Sequence, residues 1–287
     1  MFNCLIFGLP KSGTSGLFYA VKKLLSQCEK EKGFFEPSLD QLKKLKSISG
    51  PVVLKTLQGQ LPATELDDLI NGRMGVVFEK KISIIRDPRD NLISQMLYRT
   101  YDARFIDNQK KTKRWLDLLK DKEKNPTSVS VKFLMDQFAD LDDGLSPGSE
   151  TIINRFDQFV SLIEKYKKDF FLQKYEEFVS ANTKQLSAFL GKDIYNDTSD
   201  SSIPKRILRT ANYDNWRQWF TEEDTAFFQP RLDKFIEFFG YSNDWGLKIP
   251  ETLDPQFGSK YVLKLVKERK KSIPHKIGRV LKKVFFD

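Results

Sequence analysis

The sequence predicts an α/β fold in which a single domain is built on a doubly wound parallel sheet. Short apolar runs of strand length alternate along the chain with longer segments whose apolar residues recur at helical spacing. Helices that connect successive strands favour parallel pairing. The 287 residues are enough for one large α/β domain or two small ones, and we expect one.

The first strand, loop and helix lie at the N-terminus. The apolar run 4–7 is short enough for a buried strand, and Gly8 and Pro10 end it. From Ser12 the spacing becomes helical, with an apolar face made of Leu17, Ala20, Val21, Leu24 and Leu25. A tight loop between a strand and a helix directs backbone N–H groups and the helix N-terminus to one point. This geometry favours a phosphate-like anion.

The remaining elements continue the alternation. Extended segments are predicted at 33–37, 51–56, 81–85 and 170–172, and residues 174–177 lead from the last of these into the next helix. Helices are predicted at 38–46, 62–71, 88–98, 149–168, 176–190 and 221–239. Residues 99–150 are the least regular part and are broken by proline and glycine, so we expect an insertion or a lid there rather than a core layer.

The positive charge is concentrated in one segment. The chain has a formal net charge of +9, and residues 260–287 carry ten basic and two acidic residues, a net +8. The rest of the chain is therefore nearly neutral, which argues against a nucleic-acid-binding body. We accordingly divide the chain into a body at 1–259 and a basic tail at 260–287.

The cysteines and the N-terminus indicate a cytoplasmic protein. Cys4 and Cys28 fit neither a disulfide framework nor metal-ligand spacing, and we expect both to be reduced. The N-terminal run has no basic leader and is interrupted by Lys11, so we expect no secretory signal peptide. The composition is typical of a soluble globular protein, and no apolar run has the length of a membrane helix.

The loop after the first strand nearly reproduces the P-loop pattern G-x-x-x-x-G-K-[ST]. Gly8 and Gly13 have the required spacing, but Thr14 stands where the P-loop lysine is expected, and the lysine lies inside the loop as Lys11. A lysine at the crown of the loop faces a different ligand atom from one at the helix start. An ordinary strand-to-helix turn is the structural alternative.

A second candidate anion site follows the strand at 81–85. In a P-loop ATPase a later strand ends in an acidic residue that holds magnesium. Here the strand ends in Arg86, which can pair with a phosphate directly. Asp87 remains an alternative metal partner, and Ser94 lies about two turns along the following helix.

These two motifs resemble those of the sulfotransferases that use 3′-phosphoadenosine 5′-phosphosulfate (PAPS). Residues 10–14 resemble the family's 5′-phosphosulfate loop, and residues 86–94 resemble its 3′-phosphate motif. The resemblance spans residues 2 to about 240, but it does not cover 99–150 or the tail. It implies that the donor is held by Lys11, Ser12, Gly13, Thr14, Ser15, Arg86 and Ser94.

Two shorter segments extend the resemblance. Residues 174–177 are similar to the family's tyrosine-acidic segment, which implies that Tyr175 lies near the adenine; a core tyrosine is the alternative. Residues 209–216 resemble the family's late arginine-to-tryptophan motif, which implies that Arg209 closes over the 3′-phosphate. Here Thr210, Ala211 and Asp214 replace the usual lysine and glycines.

The resemblance also implies candidate catalytic residues. Lys11 is our candidate for the bridging oxygen, and Lys55 resembles a family lysine near the sulfonate. The cytosolic branch has a catalytic histidine after its lysine-threonine pair, but here Leu57 follows, and the only histidine is His275. Several carbohydrate-acting and bacterial sulfotransferases use a glutamate in an aromatic-Glu-Pro segment instead, and Glu36 lies in such a segment. A solvated strand-end lysine and a surface carboxylate are the alternatives for Lys55 and Glu36.

We therefore expect a metal-independent sulfotransferase that transfers a sulfuryl group from PAPS to a hydroxyl or an amine. Carbohydrate and lipid-linked acceptors are candidates, and residues 99–150 are expected to shape the acceptor side. One alternative is a P-loop nucleotide kinase. The other is a catalytically silent nucleotide-binding protein that acts through a membrane-binding tail.

The tail has the pattern of a short amphipathic helix. The residues on its apolar face are Ile273, Ile277, Val280, Leu281, Val284 and Phe285. Lys276, Arg279, Lys282 and Lys283 lie on the other side, which suits peripheral contact with an anionic membrane. The alternative is that the apolar face docks on the protein body.

Overall fold

The structure is a computed structural model, and it describes residues 2–26, 31–195 and 213–271. Its strands are β1 Cys4–Gly8, β2 Lys32–Phe35, β3 Val52–Leu57, β4 Lys80–Ile85 and β5 Phe171–Lys174. They form a sheet in the order β2-β3-β1-β4-β5, and every pairing is parallel. The predicted α/β class with a parallel sheet is confirmed.

The helices of the described chain connect and extend these strands. They are α1 Thr14–Leu25, α2 Leu39–Lys43, α3 Ala63–Ile70, α4 Pro88–Tyr98, α5 Gln109–Lys124, α6 Val131–Leu141, α7 Ser149–Lys165, α8 Tyr175–Val179, α9 Lys184–Leu190, α10 Trp216–Trp219, α11 Glu222–Phe238 and α12 at 259–271. Among the described residues, no helix combines the length and the apolar character needed to cross a bilayer.

The chain groups into two compact units, and each is discontinuous in sequence. The sheet unit takes its described residues from 1–91, 156–212 and 234–241. The helical unit takes its described residues from 92–155, 213–233 and 242–287. The chain therefore passes repeatedly from one unit to the other, and helices α4, α7 and α11 contain crossing points.

The core of the sheet unit lies on both faces of the sheet. Every residue of β1 is buried, as expected for a central parallel strand. Cys4 and Ile6 face one core cluster, which includes Leu17 of α1 and residues of α8 and α9. Phe7 points to the other face, where its ring centroid lies 5.7 Å from that of Phe159 in α7. Helices thus cover both faces, which confirms the doubly wound arrangement.

The thiol of Cys4 is part of this core. Its side chain is buried, it forms no disulfide, and burial raises the pKa of the thiol. Because Cys4 forms no disulfide, it is reduced as predicted, and the raised pKa keeps its thiol protonated. Cys28 lies outside the described residues.

Residues 99–150 are more regular than we predicted. They contain α5 and α6, and the ring of Trp115 in α5 packs edge-on against Phe138 in α6 at 5.1 Å. The Trp115 indole also donates a hydrogen bond to the hydroxyl of Thr100 at 3.0 Å. The prediction of irregular structure was wrong because the many charges of this segment obscured a narrow apolar stripe. Its role as a lid or insertion stays a prediction.

The helix predicted at 176–190 is two helices. Ala181, between α8 and α9, has a φ of 61°, in the left-handed region that ends a helix. The amide of Asn182 donates to the carbonyl of Glu177 at 2.8 Å, which closes the last turn of α8. Alanine rarely adopts this conformation, so the sequence carries no visible signal for the break.

A capping box opens α11. The amide of Asp224 donates to the Thr221 hydroxyl at 3.2 Å, and the amide of Thr221 donates to the Asp224 carboxylate at 2.9 Å. The same carboxylate accepts the amides of Val131 and Lys132 at the start of α6, each at 2.8 Å. Asp224 therefore caps the N-termini of α6 and α11, both of which lie in the helical unit.

The first part of the predicted tail is packed into the helical unit as α12. Val262 and Leu265 are fully buried, and the Arg269 guanidinium donates to the carbonyls of Tyr101 and Ala103 at 2.9 and 2.8 Å. At the start of α12, the Glu123 carboxylate accepts the Ser259 hydroxyl at 2.7 Å. Residues 272–287, with the predicted amphipathic stretch and His275, lie outside the described residues.

Candidate anion-binding site

The loop between β1 and α1 is a tight turn held by its own backbone. The amide and hydroxyl of Ser12 both donate to the carbonyl of Leu9, at 3.2 and 2.8 Å. Lys11 at the crown has a φ of 64°, and Gly13 has a φ of 99°. A side chain at Gly8 would begin 2.8 Å from the carbonyl oxygen of Ile84 in β4, so only glycine fits there.

The N-terminus of α1 has the features of an anion site. Gly13 is the N-cap residue and provides no side-chain cap, and no acidic residue occupies the first turn. The backbone N–H groups of the first turn, starting at Thr14, therefore point toward the loop, and the positive end of the helix dipole lies at the same point. The hydroxyl groups of Thr14 and Ser15 lie in that same turn.

Arg86 lies against this loop, as the two motifs predict. It follows β4 directly, its side chain is buried, and its Nη1 donates to the carbonyl of Lys11 at 3.3 Å. Asn91, in the first turns of α4, donates to the carbonyl of Pro10 at 3.0 Å. The two candidate anion motifs are thus adjacent, and side chains from the second hold the backbone of the first.

Tyr175 completes this cluster. The guanidinium of Arg86 stacks over the Tyr175 ring at 4.4 Å from its centroid. A side chain at Gly13 would begin 2.5 Å from the same ring, so the tyrosine packs directly on the loop. The ring also belongs to the core cluster of the sheet unit. Tyr175 is therefore both a core residue and a wall of the candidate site.

A half-buried carboxylate that the sequence did not single out, that of Glu176, holds the backbone directly after Arg86. Glu176 accepts the backbone amide of Asp87 at 3.0 Å and the hydroxyl of Tyr241 at 3.0 Å. Burial raises the pKa of Glu176. The tyrosine-acidic segment at 174–177 was the available signal, but Tyr241 is too distant in sequence for the pair to be inferred.

The carboxylate of Asp87, the alternative metal partner, is paired with Arg89. Its two carboxylate oxygens accept Nε and Nη2 of Arg89 at 2.9 and 2.7 Å, a bidentate pair in a buried setting. One of these oxygens also accepts the Arg89 amide at 3.0 Å and thereby caps α4. Over the described ranges, no group of three or more histidine, cysteine or acidic residues is placed to hold a metal ion.

Lys55 and Glu36, predicted separately as catalytic residues, form an ion pair. The Lys55 ammonium donates to a Glu36 carboxylate oxygen and, at 3.3 Å, to the hydroxyl of Ser15 in α1. It also lies 4.0 Å above the Phe35 ring. The Lys55 side chain is only 2% exposed, which excludes a solvated strand-end lysine.

The environment of this pair lowers the pKa of Lys55. Burial is the larger cause, and it is partly offset by the charge and the hydrogen bond of Glu36. Glu36 has a φ of 50°, and its amide donates to the Lys55 carbonyl at 2.9 Å, so the strand ends are joined at this point. The Glu36 side chain is 37% exposed and can be reached from solvent.

Two predicted donor-binding residues are not placed in this cluster. Ser94 is buried in α4 but belongs to the helical unit. Arg209 lies outside the described residues. The remaining predicted residues, Lys11, Ser12, Gly13, Thr14, Ser15, Glu36, Lys55, Arg86 and Tyr175, all belong to the sheet unit.

Comparisons with known proteins support the fold. No family model matches the sequence, and no curated protein sequence matches it. Among solved structures, the chain is similar to the mouse sulfotransferase SULT7A1, whose crystal structure contains PAP, with a TM-score of 0.50. The two share 18% sequence identity, and the match covers 84% of this chain and 89% of the mouse protein chain. The chain therefore has the fold of a sulfotransferase.

Proposed function

We propose that this protein is a sulfotransferase that uses PAPS as its donor. The observation that carries the proposal is the contact of Arg86 with the loop that bears Lys11, beside an uncapped helix N-terminus. This arrangement offers two neighbouring sites for anionic groups, as a nucleotide with separate 5′ and 3′ anions requires. A mouse protein with the same fold was crystallised with PAP, which supports a donor of this class.

The donor fits the residues present. The loop and the start of α1 form a cradle in which side chains at Gly8 and Gly13 have no space. We assign the 5′ end of the donor to Lys11, Gly13, Thr14 and Ser15, with Ser12 acting through the shape of the turn. We assign the 3′-phosphate to Arg86, Ser94 and Arg209, and the adenine to Tyr175. When bound, the donor supplies a sulfuryl group on a phosphosulfate bridge.

The chain's own residues supply the remaining chemistry. Lys11, at the crown of the loop, is assigned to the charge that grows on the bridging oxygen as it leaves. Lys55 is assigned to the sulfonate oxygens, and Glu36 to the proton of the acceptor hydroxyl or amine. Positioning and electrostatics carry most of such a reaction, as in phosphoryl transfer. We propose that no metal is needed and that residues 99–150 shape the acceptor side, with carbohydrate or lipid-linked acceptors as candidates.

A nucleotide kinase is less consistent with the site. A kinase of the P-loop class needs a carboxylate for magnesium near the phosphates. Asp87 is the carboxylate nearest in sequence to the end of β4, and Arg89 already occupies both of its oxygens. Lys11 also lies at the crown of the loop and not at the start of α1.

The donor class is tested by calorimetry with PAP and with ATP, each with and without magnesium. We expect PAP to bind much more tightly than ATP, with no dependence on magnesium. Magnesium-dependent binding of ATP without binding of PAP would instead support a kinase. A screen of hydroxyl and amine acceptors with labelled sulfate then separates an enzyme from a silent binding protein.

A further inference from the structure

The Lys55–Glu36 pair lies where a cation without an anion would be unstable. Lys55 is buried beside the first turn of α1, where it donates to Ser15. The positive end of a helix dipole disfavours a nearby ammonium, and burial removes its hydration. An anion at this point therefore stabilises Lys55, and in this structure Glu36 provides it.

The same pairing opposes the role of Glu36 as a base. A general base accepts the acceptor's proton at a carboxylate oxygen that lies within hydrogen-bond reach of that proton. In this structure one Glu36 carboxylate oxygen is instead engaged by the Lys55 ammonium. The two catalytic assignments are compatible only if the pair separates.

We propose that Glu36 is a built-in competitor of the donor for Lys55. Binding of the donor's sulfonate draws the Lys55 ammonium away from Glu36, and the carboxylate then becomes available as a base only when the donor is in place. This inference rests on the proposed function and concerns how that same site is regulated. Glu36 therefore takes the acceptor's proton only after the donor has bound.

The surroundings of the pair allow this exchange. The backbones are joined by the hydrogen bond from the Glu36 amide to the Lys55 carbonyl, so they need not move. Lysine has a flexible four-carbon stem, and Lys55 already contacts both Glu36 and the helix that bears Ser15. Glu36 is partly exposed, so its carboxylate can be hydrated once the ammonium has left.

The test is a double-mutant cycle that measures the affinity for PAPS by calorimetry. Glu36→Gln should tighten PAPS binding by about 10- to 100-fold, because one charge-assisted hydrogen bond no longer has to be broken. In the Lys55→Met background, the same Glu36→Gln change should have almost no effect. Asp40→Asn, which removes an exposed carboxylate paired with Lys43, is the matched control and should leave the affinity unchanged.

Each other result contradicts the inference in a different way. Unchanged or weaker PAPS binding by Glu36→Gln would show that the two anions do not compete. Tightening that persists in the Lys55→Met background would show simple charge repulsion between Glu36 and the donor. If the wild-type chain binds no PAPS, the proposed function itself fails, and the inference fails with it.

Discussion

At the residue scale, Lys11 adopts a conformation that favours glycine. Its φ of 64° lies in the left-handed region, which costs a residue with a side chain about 1–2 kcal/mol. The loop has glycine at position 13 but a lysine at its crown. A strained residue of this kind is expected where its side chain is needed, in agreement with the role we assign to Lys11.

Two substitutions at Lys11 distinguish the contribution of its side chain from that of its backbone conformation. Lys11→Ala keeps the backbone strain and Lys11→Gly relieves it, so neither should change the free energy of unfolding by more than about 1–2 kcal/mol. Both should lower the rate of sulfuryl transfer by about 10²–10³, the usual effect of losing one positioned donor. Urea unfolding and transfer of labelled sulfate measure the two effects. Lys43→Ala, an exposed control, should alter neither, and normal transfer by Lys11→Gly would remove Lys11 from the mechanism.

At the element scale, the loop between β1 and α1 needs a glycine at position 13 for two separate reasons, the positive φ and the lack of space for a side chain. Gly191 provides a comparison in which only the first reason applies. Gly13 and Gly191, which ends α9, both have positive φ, at 99° and 73°. A side chain at Gly191 would have open space, but at Gly13 it would collide with the Tyr175 ring. A substitution at Gly191 therefore tests backbone strain alone, and the same substitution at Gly13 tests backbone strain together with the collision.

Alanine at these two positions should have unequal effects. Gly191→Ala should lower the free energy of unfolding by about 1 kcal/mol, from backbone strain alone. Gly13→Ala should lose about 1–3 kcal/mol more, because the Tyr175 ring must move, and it should weaken binding of PAP. Urea unfolding and calorimetry provide both measurements. Equal destabilisation by the two changes would mean that Tyr175 does not pack on the loop.

The sequence predicted the central elements well because their signals are local. Strands β1, β3 and β4 are apolar runs bounded by turn residues, and both anion motifs lie directly after such strands. The break at Ala181 has no local signal. The Glu176–Tyr241 pair joins residues 65 positions apart, and such tertiary contacts are not encoded in any short pattern. Lys55 and Glu36 were each singled out, but their pairing required the register of β2 on β3.

At the scale of the whole molecule, the basic C-terminal segment has two parts. Residues 259–271 form α12, whose buried Val262 and Leu265 tie it to the helical unit. The predicted amphipathic stretch begins only after Lys271. A truncation that tests for membrane contact must therefore leave α12 intact.

Two truncations distinguish a membrane anchor from a structural helix. A chain that ends after Lys271 should keep the full-length melting temperature and lose salt-sensitive co-sedimentation with anionic vesicles. A chain that ends after Gly258 should melt earlier, because it loses the buried side chains of α12 and the Arg269 contacts with the carbonyls of Tyr101 and Ala103. Vesicle binding by the chain that ends after Lys271 would place the membrane contact outside residues 272–287. Early melting of the same chain would show that residues 272–287 stabilise the fold.

The interleaving of the two units affects how the protein folds during synthesis. The last described part of the sheet unit is 234–241, where Tyr241 reaches back to Glu176 and the Gly240 carbonyl accepts the Lys174 ammonium at 2.7 Å. The helical unit likewise needs α12, near the end of the described chain. Neither unit can therefore be completed until most of the polypeptide has left the ribosome. The nascent chain exposes its apolar strands throughout that interval, so partial products should depend on chaperones and be sensitive to proteases.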